Sequence, residues 1–161
     1  MGRKHRVEIR ELDRPEIEQI LARNHLGRIA FSFRDRVDIE PISYVYADGW
    51  IYGRTSEGEK LSVIGRNWWV AFEVDEVDGP FDWRSAVAHG GFYRVEPLAS
   101  PQERESWERS VAMLRTVLPE TFTPEDPVPF RNVVFRIRVE HVHGRAATSG
   151  APSARRGAGP G

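Results

Sequence analysis

The stretch of this chain most suited to chemistry runs from Thr55 to Lys60, where two neighbouring hydroxyls precede a glycine and a lysine. The lysine stands out because the chain holds 21 arginines and only one other lysine, Lys4. An ammonium is a compact charge with three rotatable donors, whereas a guanidinium is a flat fork, so the two are not interchangeable where geometry is tight. Hydroxyl, amide and ammonium donors in one loop indicate a phosphate site. The plain alternatives are a capped helix after a hairpin and an arginine-rich composition that spared Lys60 by chance.

Ser56 can have two roles in this loop. Its hydroxyl can cap a helix by accepting from the amide of Glu59, or it can bond a phosphate, and one hydroxyl has to serve both. Glu57 and Glu59 also place negative charge beside the proposed anion site. We therefore expect these two carboxylates to point outward.

The composition excludes several classes of chemistry. With no cysteine among its 161 residues, the chain can form no disulfide, thiolate metal site or cysteine nucleophile. Its net charge of -1 argues against a surface that binds nucleic acid. No apolar run approaches the roughly 20 residues of a membrane span, and the start of the chain lacks the apolar region of a signal peptide. The sequence therefore predicts one cytoplasmic domain with no nucleic-acid or membrane partner.

Three helix starts carry the same signature, a capping residue followed three positions later by glutamate. These starts are Asp13, Ser56 and Ser100. In the first and third, proline lies in the first turn, where its missing donor does no harm. Both helices have an apolar face that predicts packing against a core, formed by Ile17, Ile20 and Leu21 in the first and by Trp107, Val111, Leu114 and Leu118 in the third.

The rest of the chain favours β-structure. Runs rich in β-branched and aromatic residues, separated by turn residues, predict six strands at 27–33, 37–46, 50–54, 68–75, 83–96 and 131–143. Six strands with three short helices predict a mainly β fold, a small antiparallel barrel or sandwich. Residues 1–6 and 146–161 are poor in apolar side chains, so we predict disordered tails around a domain of residues 7–145.

Several segments, taken in order, resemble the pyridoxamine 5'-phosphate oxidase-like flavin-binding split barrels, and most closely the nitroimidazole-resistance-type branch. The segments are Leu26 to Ser32, Pro41 to Tyr46, Ile51 to Ser56 with Lys60, Val70 to Asp75, and Trp83 to Val87 with Gly90. The likeness runs from about Leu12 to Glu96, and its strength lies in the order of the segments. The resemblance implies a six-stranded antiparallel split β-barrel that forms a homodimer and binds FMN at the interface between subunits.

The resemblance also implies which residues bind the cofactor. It places the phosphate at Thr55, Ser56 and Lys60, with Arg54 beside them. It places the isoalloxazine ring along a strand whose backbone amides reach the polar edge of the ring, at Pro41, Ile42, Ser43 and Tyr44. Further flavin contacts fall on Trp83, Arg84 and Ser85.

The position of Arg54 departs from the family pattern. Many sequences of the nitroimidazole-resistance type have a histidine there, so the substrate chemistry of that branch is not carried over to this chain. Arg54 could instead neutralise the phosphate or the reduced flavin. The likeness weakens after Pro97, so specificity for pyridoxamine phosphate has no support in the sequence.

Other polar and aromatic groups have plainer interpretations. His141 and His143 share one face of a strand, a spacing that can bind metal, but we predict solvent-facing imidazoles and no metal. His89 is predicted in a turn beside Gly90. Burial in the core or in a dimer explains the large aromatic side chains, with stacking on a flavin or haem as the alternative, for Trp50, Tyr52, Trp68, Trp69 and Phe72.

Taken with the resemblance, these patterns predict an FMN-binding oxidoreductase. In this class the cofactor carries the hydride or electrons, while the protein supplies orientation and electronics. By analogy with the family, a reduced nicotinamide reduces a small electrophilic or nitroaromatic substrate, and the sequence singles out no catalytic acid or base. The alternative is a protein of the same fold that binds flavin, haem or a deazaflavin without turnover. No nucleophile elbow or dinucleotide-binding glycine pattern supports a hydrolase or a Rossmann fold.

Overall fold

A computed structural model describes residues 6–65 and 68–150 of the chain. Seven strands and three helices follow one another in the order β1 (Arg6–Glu11), α1 (Arg14–Arg23), β2 (Leu26–Phe33), β3 (Arg36–Ala47), β4 (Trp50–Thr55), α2 (Glu59–Ile64), β5 (Trp69–Gly79), β6 (Asp82–Arg94), α3 (Pro101–Arg115) and β7 (Val133–Gly150). All the strand pairings are antiparallel. The mainly β fold predicted from the sequence is confirmed.

One sheet closes on itself to form a barrel. The strand order is β1-β7-β4-β3-β2-β5-β6, and an additional pairing of β6 with β7 closes a ring of six strands. Closure depends on the length of β7, which pairs with β4 along its first part, with β6 along most of its length and with β1 along its last part. Because the ring of strands is closed, the barrel satisfies most of its own backbone groups. The six predicted barrel strands are all present.

The seventh strand, β1, is absent from the sequence prediction. All six of its residues are exposed, so it shows no alternation of buried and exposed side chains. It exists because its backbone pairs with the end of β7, from Arg6 opposite Gly150 to Glu11 opposite Arg145. The predicted tails are therefore too long, since Arg6 and residues 146–150 lie in strands. The other residues of the predicted tails lie outside the described part of the chain, and the domain limits stay a prediction.

Helix α1 closes one end of the barrel with its apolar face. Ile17, Ile20 and Leu21 are buried, as predicted, within the main core cluster that fills the barrel. The helix begins with a capping box, in which the Asp13 side chain accepts from the amide of Glu16 and the Glu16 side chain accepts from the amide of Asp13. These reciprocal bonds satisfy two amides that the first helical turn would otherwise leave unpaired.

Helix α3 packs on the outside of the barrel, capped by Ser100 as predicted. Leu114 joins Val45 and Tyr52 in one small cluster, and Val111 joins Val95 and Val134 in another. The outer faces of β3, β4 and β7 are therefore covered by this helix.

Helix α2 starts later than predicted. It begins at Glu59, and the amide of Ser62 donates to the carbonyl of Gly58 at 3.4 Å, so the first turn follows Gly58. Ser56 lies before the helix rather than at its first position. The prediction that Ser56 caps this helix is therefore wrong, and its hydroxyl belongs to the loop before the helix.

None of the helices in the described residues combines the length and apolar character needed to cross a membrane.

Candidate functional site

Lys60 is directed towards the strand to which the sequence assigns the flavin ring. Its side chain is 13% exposed, and Nζ lies 2.5 Å from Oε2 of Glu40 on β3. Glu40 immediately precedes Pro41, the first residue assigned to the ring-binding strand. The structure therefore places the ammonium group beside the start of that segment, 20 residues away in sequence.

The ring-binding strand has an open edge. On one side, β3 pairs with β2 from Arg36 to Ser43; on the other, it pairs with β4 only from Tyr44 onwards. Within the described part of the chain, no strand covers residues 36–43 on that second side. This gap in the ring of pairings is the split in the barrel, and it lies beside the loop that leads to Lys60.

The backbone of Ser43 points to this open edge. The amide of Tyr44 donates to the carbonyl of His25 at 3.0 Å, so Tyr44 directs its backbone groups towards the β2 side. Successive residues of a strand direct these groups to opposite neighbours, which turns those of Ser43 and Pro41 to the open side. The Ser43 amide therefore faces the side on which the pairing with β4 stops at Tyr44, and Pro41 has no amide hydrogen to leave unpaired there. A donor at this edge suits the accepting polar rim of a flavin ring, so the residues present fit that group.

The side chains of the four ring-strand residues divide between two faces. Pro41 and Ser43 are exposed, whereas Ile42 and Tyr44 are buried in the barrel core. The Tyr44 hydroxyl donates to the carbonyl of Leu21 at 2.7 Å, and burial raises the pKa of this phenol. Ile42 and Tyr44 can therefore contribute their backbone to a ligand but not their side chains.

Thr55 and Ser56 lie where β4 ends and the loop to α2 begins. Thr55 is 6% exposed and Ser56 is half-buried. With Lys60 they form one group at the split of the barrel. Glycine at position 58 is not required by crowding, because a Cβ added there would meet nothing within 4 Å.

Arg54 has a structural role that the sequence analysis did not predict. Its Nε donates to the carbonyl of Arg131 at 2.7 Å, and its Nη2 donates to Asp126 Oδ2 at 2.7 Å and to the carbonyl of Val128 at 2.8 Å. The guanidinium also lies 4.5 Å from the ring of Phe122. Arg54 is buried and ties the segment before β7 to β4, so its side chain is engaged within the fold, and its assignment as a cofactor ligand stays a prediction.

Asp126 holds the other half of this buried ion pair. Its carboxylate accepts from Arg54 and from the amides of Phe122 and Val128. The hydrogen bond from Arg54 is the main reason that the pKa of Asp126 falls to about 2. No local pattern could predict this contact, since 72 residues separate the two partners.

Arg94 is a second cation beside the loop, and sequence reasoning missed it. It lies at the end of β6 and contacts Glu57, while its Nε lies 2.5 Å from Oε1 of Glu96. These contacts raise its pKa, with the hydrogen bond to Glu57 as the largest cause. Glu57 is exposed, as predicted, but it is engaged with this arginine.

Trp83, Arg84 and Ser85 lie apart from the ring-binding strand within one chain. Pro41 is opposite Arg28, Arg28 is opposite Glu73, and Glu73 is opposite Val87, two residues from Ser85. Three strand spacings of about 4.8 Å place Pro41 about 14 Å from β6 around a convex surface.

The same three residues are still farther from the loop between β4 and α2, which holds Ser56 and which we call the phosphate loop. Arg94, which contacts that loop through Glu57, lies ten residues beyond Arg84 on β6, or about 33 Å at a rise of about 3.3 Å per residue. A single chain therefore brings Thr55, Ser56, Lys60 and the edge of β3 together, and it leaves Trp83, Arg84 and Ser85 elsewhere.

Arg84 belongs to an ion-pair cluster centred on Glu76. The Glu76 carboxylate accepts from Arg23, Asn24 and Arg84, at distances between 2.5 and 3.1 Å. These donors, Arg23 foremost, hold the pKa of Glu76 at about 2. A shallow cavity of about 180 Å³ beside Trp83 and Arg84 is lined also by Arg10, Asp78, Asp82 and residues 146–148.

Three histidines meet on the outer face of β6 and β7. His89 is opposite His141 in the strand register, and its ring stacks on that of His143 with centroids 5.5 Å apart. The predicted turn at His89 is wrong, since this residue lies within β6. His141 and His143 are exposed, as predicted. Among the described residues, no three histidine or carboxylate side chains are arranged to hold a metal ion.

The closed six-stranded ring with its split at β3 defines a split β-barrel. The family model for pyridoxamine 5'-phosphate oxidase matches residues 13–146, most of the chain. The protein therefore belongs to the pyridoxamine 5'-phosphate oxidase family.

Individual relatives agree with this assignment. An uncharacterized protein of Rhizobium meliloti is 25% identical over 150 residues, covering 88% of this chain and 97% of that protein. The crystal structure of an FAD-binding protein from Mesorhizobium loti has a TM-score of 0.70 at 24% identity, covering 88% of this chain and 99% of that one. A candidate 5-nitroimidazole resistance protein from Bacteroides thetaiotaomicron has a TM-score of 0.62 at 17% identity, covering 91% and 95%. At these identities the two structures show the fold alone.

Proposed function

We propose that the protein is an FMN-binding oxidoreductase in which two copies of the chain build each cofactor site. The observation that carries the proposal is the position of Lys60, whose ammonium group lies beside the open edge of β3. The FAD-binding relative supports a flavin as the cofactor class. The grouping of Thr55, Ser56 and Lys60 favours the single terminal phosphate of FMN.

The residues of this chain have separate tasks in the proposed site. Lys60 and the hydroxyls of Thr55 and Ser56 hold the phosphate through charge-assisted and neutral hydrogen bonds. The Ser43 amide at the open edge of β3 orients the polar rim of the ring. A bound flavin supplies the hydride or electron transfer, which the side chains do not provide themselves. We infer that a reduced nicotinamide is the donor and a small electrophilic or nitroaromatic compound the acceptor.

An exposed apolar face next to the ring strand supports a homodimer. Leu26, Val37 and Ile39 are 59%, 76% and 63% exposed. Every second residue of a strand lies on the same face. One face of β3 therefore carries Val37, Ile39, Pro41 and Ser43. A second copy seated here would cover these side chains and could bring its own Trp83, Arg84 and Ser85 to the ring. This arrangement accounts for their separation within one chain.

The experiment that tests the cofactor is an FMN titration of the purified protein with its visible spectrum recorded. We expect flavin absorption bands and saturable binding. Lys60→Ala should weaken binding by about ten- to hundredfold, because a hydrogen bond to a charged group contributes about 1.5–3 kcal/mol. Arg104→Ala is the matched control, since Arg104 lies on α3 and forms an exposed ion pair with Glu108.

Each alternative has a distinct result in the same experiment. A Soret band would identify a haem protein, and absorption and fluorescence of a deazaflavin would identify that cofactor instead. Absence of FMN binding, or equal affinities of the Lys60→Ala variant and the wild type, would contradict the proposed site. Flavin binding without oxidation of a reduced nicotinamide in the presence of nitroaromatic acceptors would favour a non-catalytic carrier.

A further inference from the structure

Two cations flank the phosphate loop, and each forms an ion pair with a carboxylate. One carboxylate comes from strand β3 and the other from the loop itself. Lys60 is paired with Glu40, and Arg94 is paired with Glu57 and Glu96. The two groups are close in the chain, because Glu57 precedes Lys60 by three residues across the start of α2. The loop therefore connects both ion pairs.

The strand register turns Arg94 to the same side as Thr55. Arg94 is opposite Phe135 on β7, Phe135 is opposite Gly53 on β4, and Thr55 follows two residues later. Directly paired residues and residues two apart share one face of a sheet. The side chain of Arg94 therefore leaves the sheet on the face from which Thr55 projects, at the end of the barrel next to the loop.

The net charge of these five side chains does not favour the binding of an anion. Glu40, Glu57 and Glu96 bring three negative charges to the two positive charges of Lys60 and Arg94. A phosphate monoester carries close to two negative charges at neutral pH. It would meet cations whose charge is already neutralised, unless some carboxylates move away when it binds.

We propose that Arg94 is a second phosphate-binding cation and that Glu40 and Glu57 occupy the two cations until a phosphate displaces them. The inference rests on the proposed function, because it concerns the same phosphate site. The carboxylates stand in for the phosphate oxygens in the protein without ligand. Binding of the phosphate releases both carboxylates to solvent, and no covalent bond changes.

Exposure makes this exchange feasible. The side chains of Glu40 and Glu57 are 45% and 60% exposed, and that of Arg94 is 39% exposed. The Arg94–Glu57 pair is exposed on both sides, so breaking it costs little, whereas in the pair with Glu40 only the carboxylate is exposed and Lys60 is 13% exposed. The Arg54–Asp126 pair shows the contrast, because both side chains are at most 7% exposed and that pair is fixed within the fold.

The test compares FMN with riboflavin, which has the same ring and no phosphate. Arg94→Gln should weaken FMN binding by about tenfold and leave riboflavin binding unchanged. Glu57→Gln and Glu40→Gln should each tighten FMN binding by about two- to fivefold, since the competing carboxylate is gone, again without an effect on riboflavin. Arg104→Gln serves as the control for a lost surface cation, and Arg94→Lys retains the charge if Arg94→Gln folds poorly.

Several outcomes would overturn the inference. An unchanged ratio of FMN to riboflavin affinity in Arg94→Gln would remove Arg94 from the phosphate site. Weaker FMN binding in Glu57→Gln and Glu40→Gln would show that the carboxylates support the site rather than compete for it. In either case FMN binding by the wild type would leave the proposed function standing.

Inorganic phosphate separates failure of the proposed function from failure of this inference. Melting temperatures of the wild type, Arg94→Gln and Glu57→Gln are measured with phosphate and with chloride at equal ionic strength. The result is informative even if the wild type binds no flavin. In that case phosphate should stabilise the wild type, stabilise Glu57→Gln more strongly and leave Arg94→Gln unchanged, and this pattern would support the exchange. No stabilisation of the wild type by phosphate in that case would overturn it.

Discussion

At the scale of single residues, burial separates the charged groups of this protein into two kinds. Arg54 and Asp126 are almost fully buried and paired, whereas Lys60 and Arg94 are paired with exposed carboxylates. A buried pair is costly to break because the remaining partner keeps its desolvation cost. An exposed pair can exchange its partner for a ligand. The neighbouring residues Arg54 and Thr55 therefore serve the fold and the proposed site respectively.

The buried pair gives a prediction for stability. Asp126→Asn should lower the free energy of unfolding by about 3 kcal/mol at pH 7, because Arg54 keeps its charge and loses its partner. The pKa of Asp126 is lowered from 3.8 to about 2, so its contribution is present above pH 4 and is lost as the pH falls towards 2. Urea unfolding across this range should show the difference between variant and wild type shrinking. A difference that stays constant with pH would contradict the ion-pair explanation.

The histidine group gives a second pH-dependent prediction, in a higher pH range and with the same direction. Burial, followed by the neighbouring His143 and His141, lowers the pKa of His89 below its ordinary value of 6.5. The unfolded chain then binds a proton that the folded chain resists, so stability should fall as the pH falls through about 6.5. His89→Gln should show a smaller loss of melting temperature between pH 7.5 and 5.5 than the wild type. The raised pKa of Glu73 changes stability with pH in the opposite sense to that of His89. Because Glu73 is present in both proteins, its effect cancels in the comparison.

At the scale of elements, the register between β6 and β7 shifts between His89 and Gly90. The two strands approach so closely there that a Cβ added at Gly90 would lie 1.7 Å from the carbonyl oxygen of Arg138. No side chain can be accommodated without moving backbone. Because the β6–β7 pairing closes the barrel, this glycine stabilises the whole ring of strands.

Substitution of this glycine tests that role. Gly90→Ala should destabilise the protein by at least about 3 kcal/mol, since the clash is with backbone rather than with a flexible side chain. Gly58→Ala is the matched control, because an added Cβ there meets nothing within 4 Å. Thermal unfolding of both variants measures the difference. Similar melting temperatures would mean that the strands can separate at the shift without cost.

The elements also show which features a sequence can predict. The caps at Asp13 and Ser100 and the six barrel strands depend on short-range patterns, and the structure contains all of them. Strand β1 and the partners of Arg54 and Lys60 depend on contacts between distant segments, for which local patterns carry no signal. The residues assigned to the phosphate and to the ring came from the order of family segments, and their roles stay predictions until a ligand is measured.

At the scale of the whole molecule, the assigned residues fall into two groups that one chain keeps apart. Thr55, Ser56 and Lys60 lie at the split of the barrel, and Trp83 to Ser85 lie at the other end of β6. A site made from one group of each copy requires two chains, and the exposed apolar face that includes Val37 and Ile39 offers a surface for that contact. The proposed dimer would therefore contain two equivalent sites, each crossing the interface.

Mixed dimers test this arrangement directly. Lys60→Ala and Trp83→Ala should each weaken FMN binding when alone, because every site in such a dimer carries the same defect. In a dimer with one copy of each variant, one site collects both defects and the other has none. Co-refolding the two variants should therefore restore tight FMN binding to part of the sites.

Mixing Lys60→Ala with Thr55→Val is the control, since both defects lie in the same group and every site keeps one of them. Recovery in neither mixture would place the whole site within one chain, and recovery in both would show that the pairing of groups proposed for this interface is wrong.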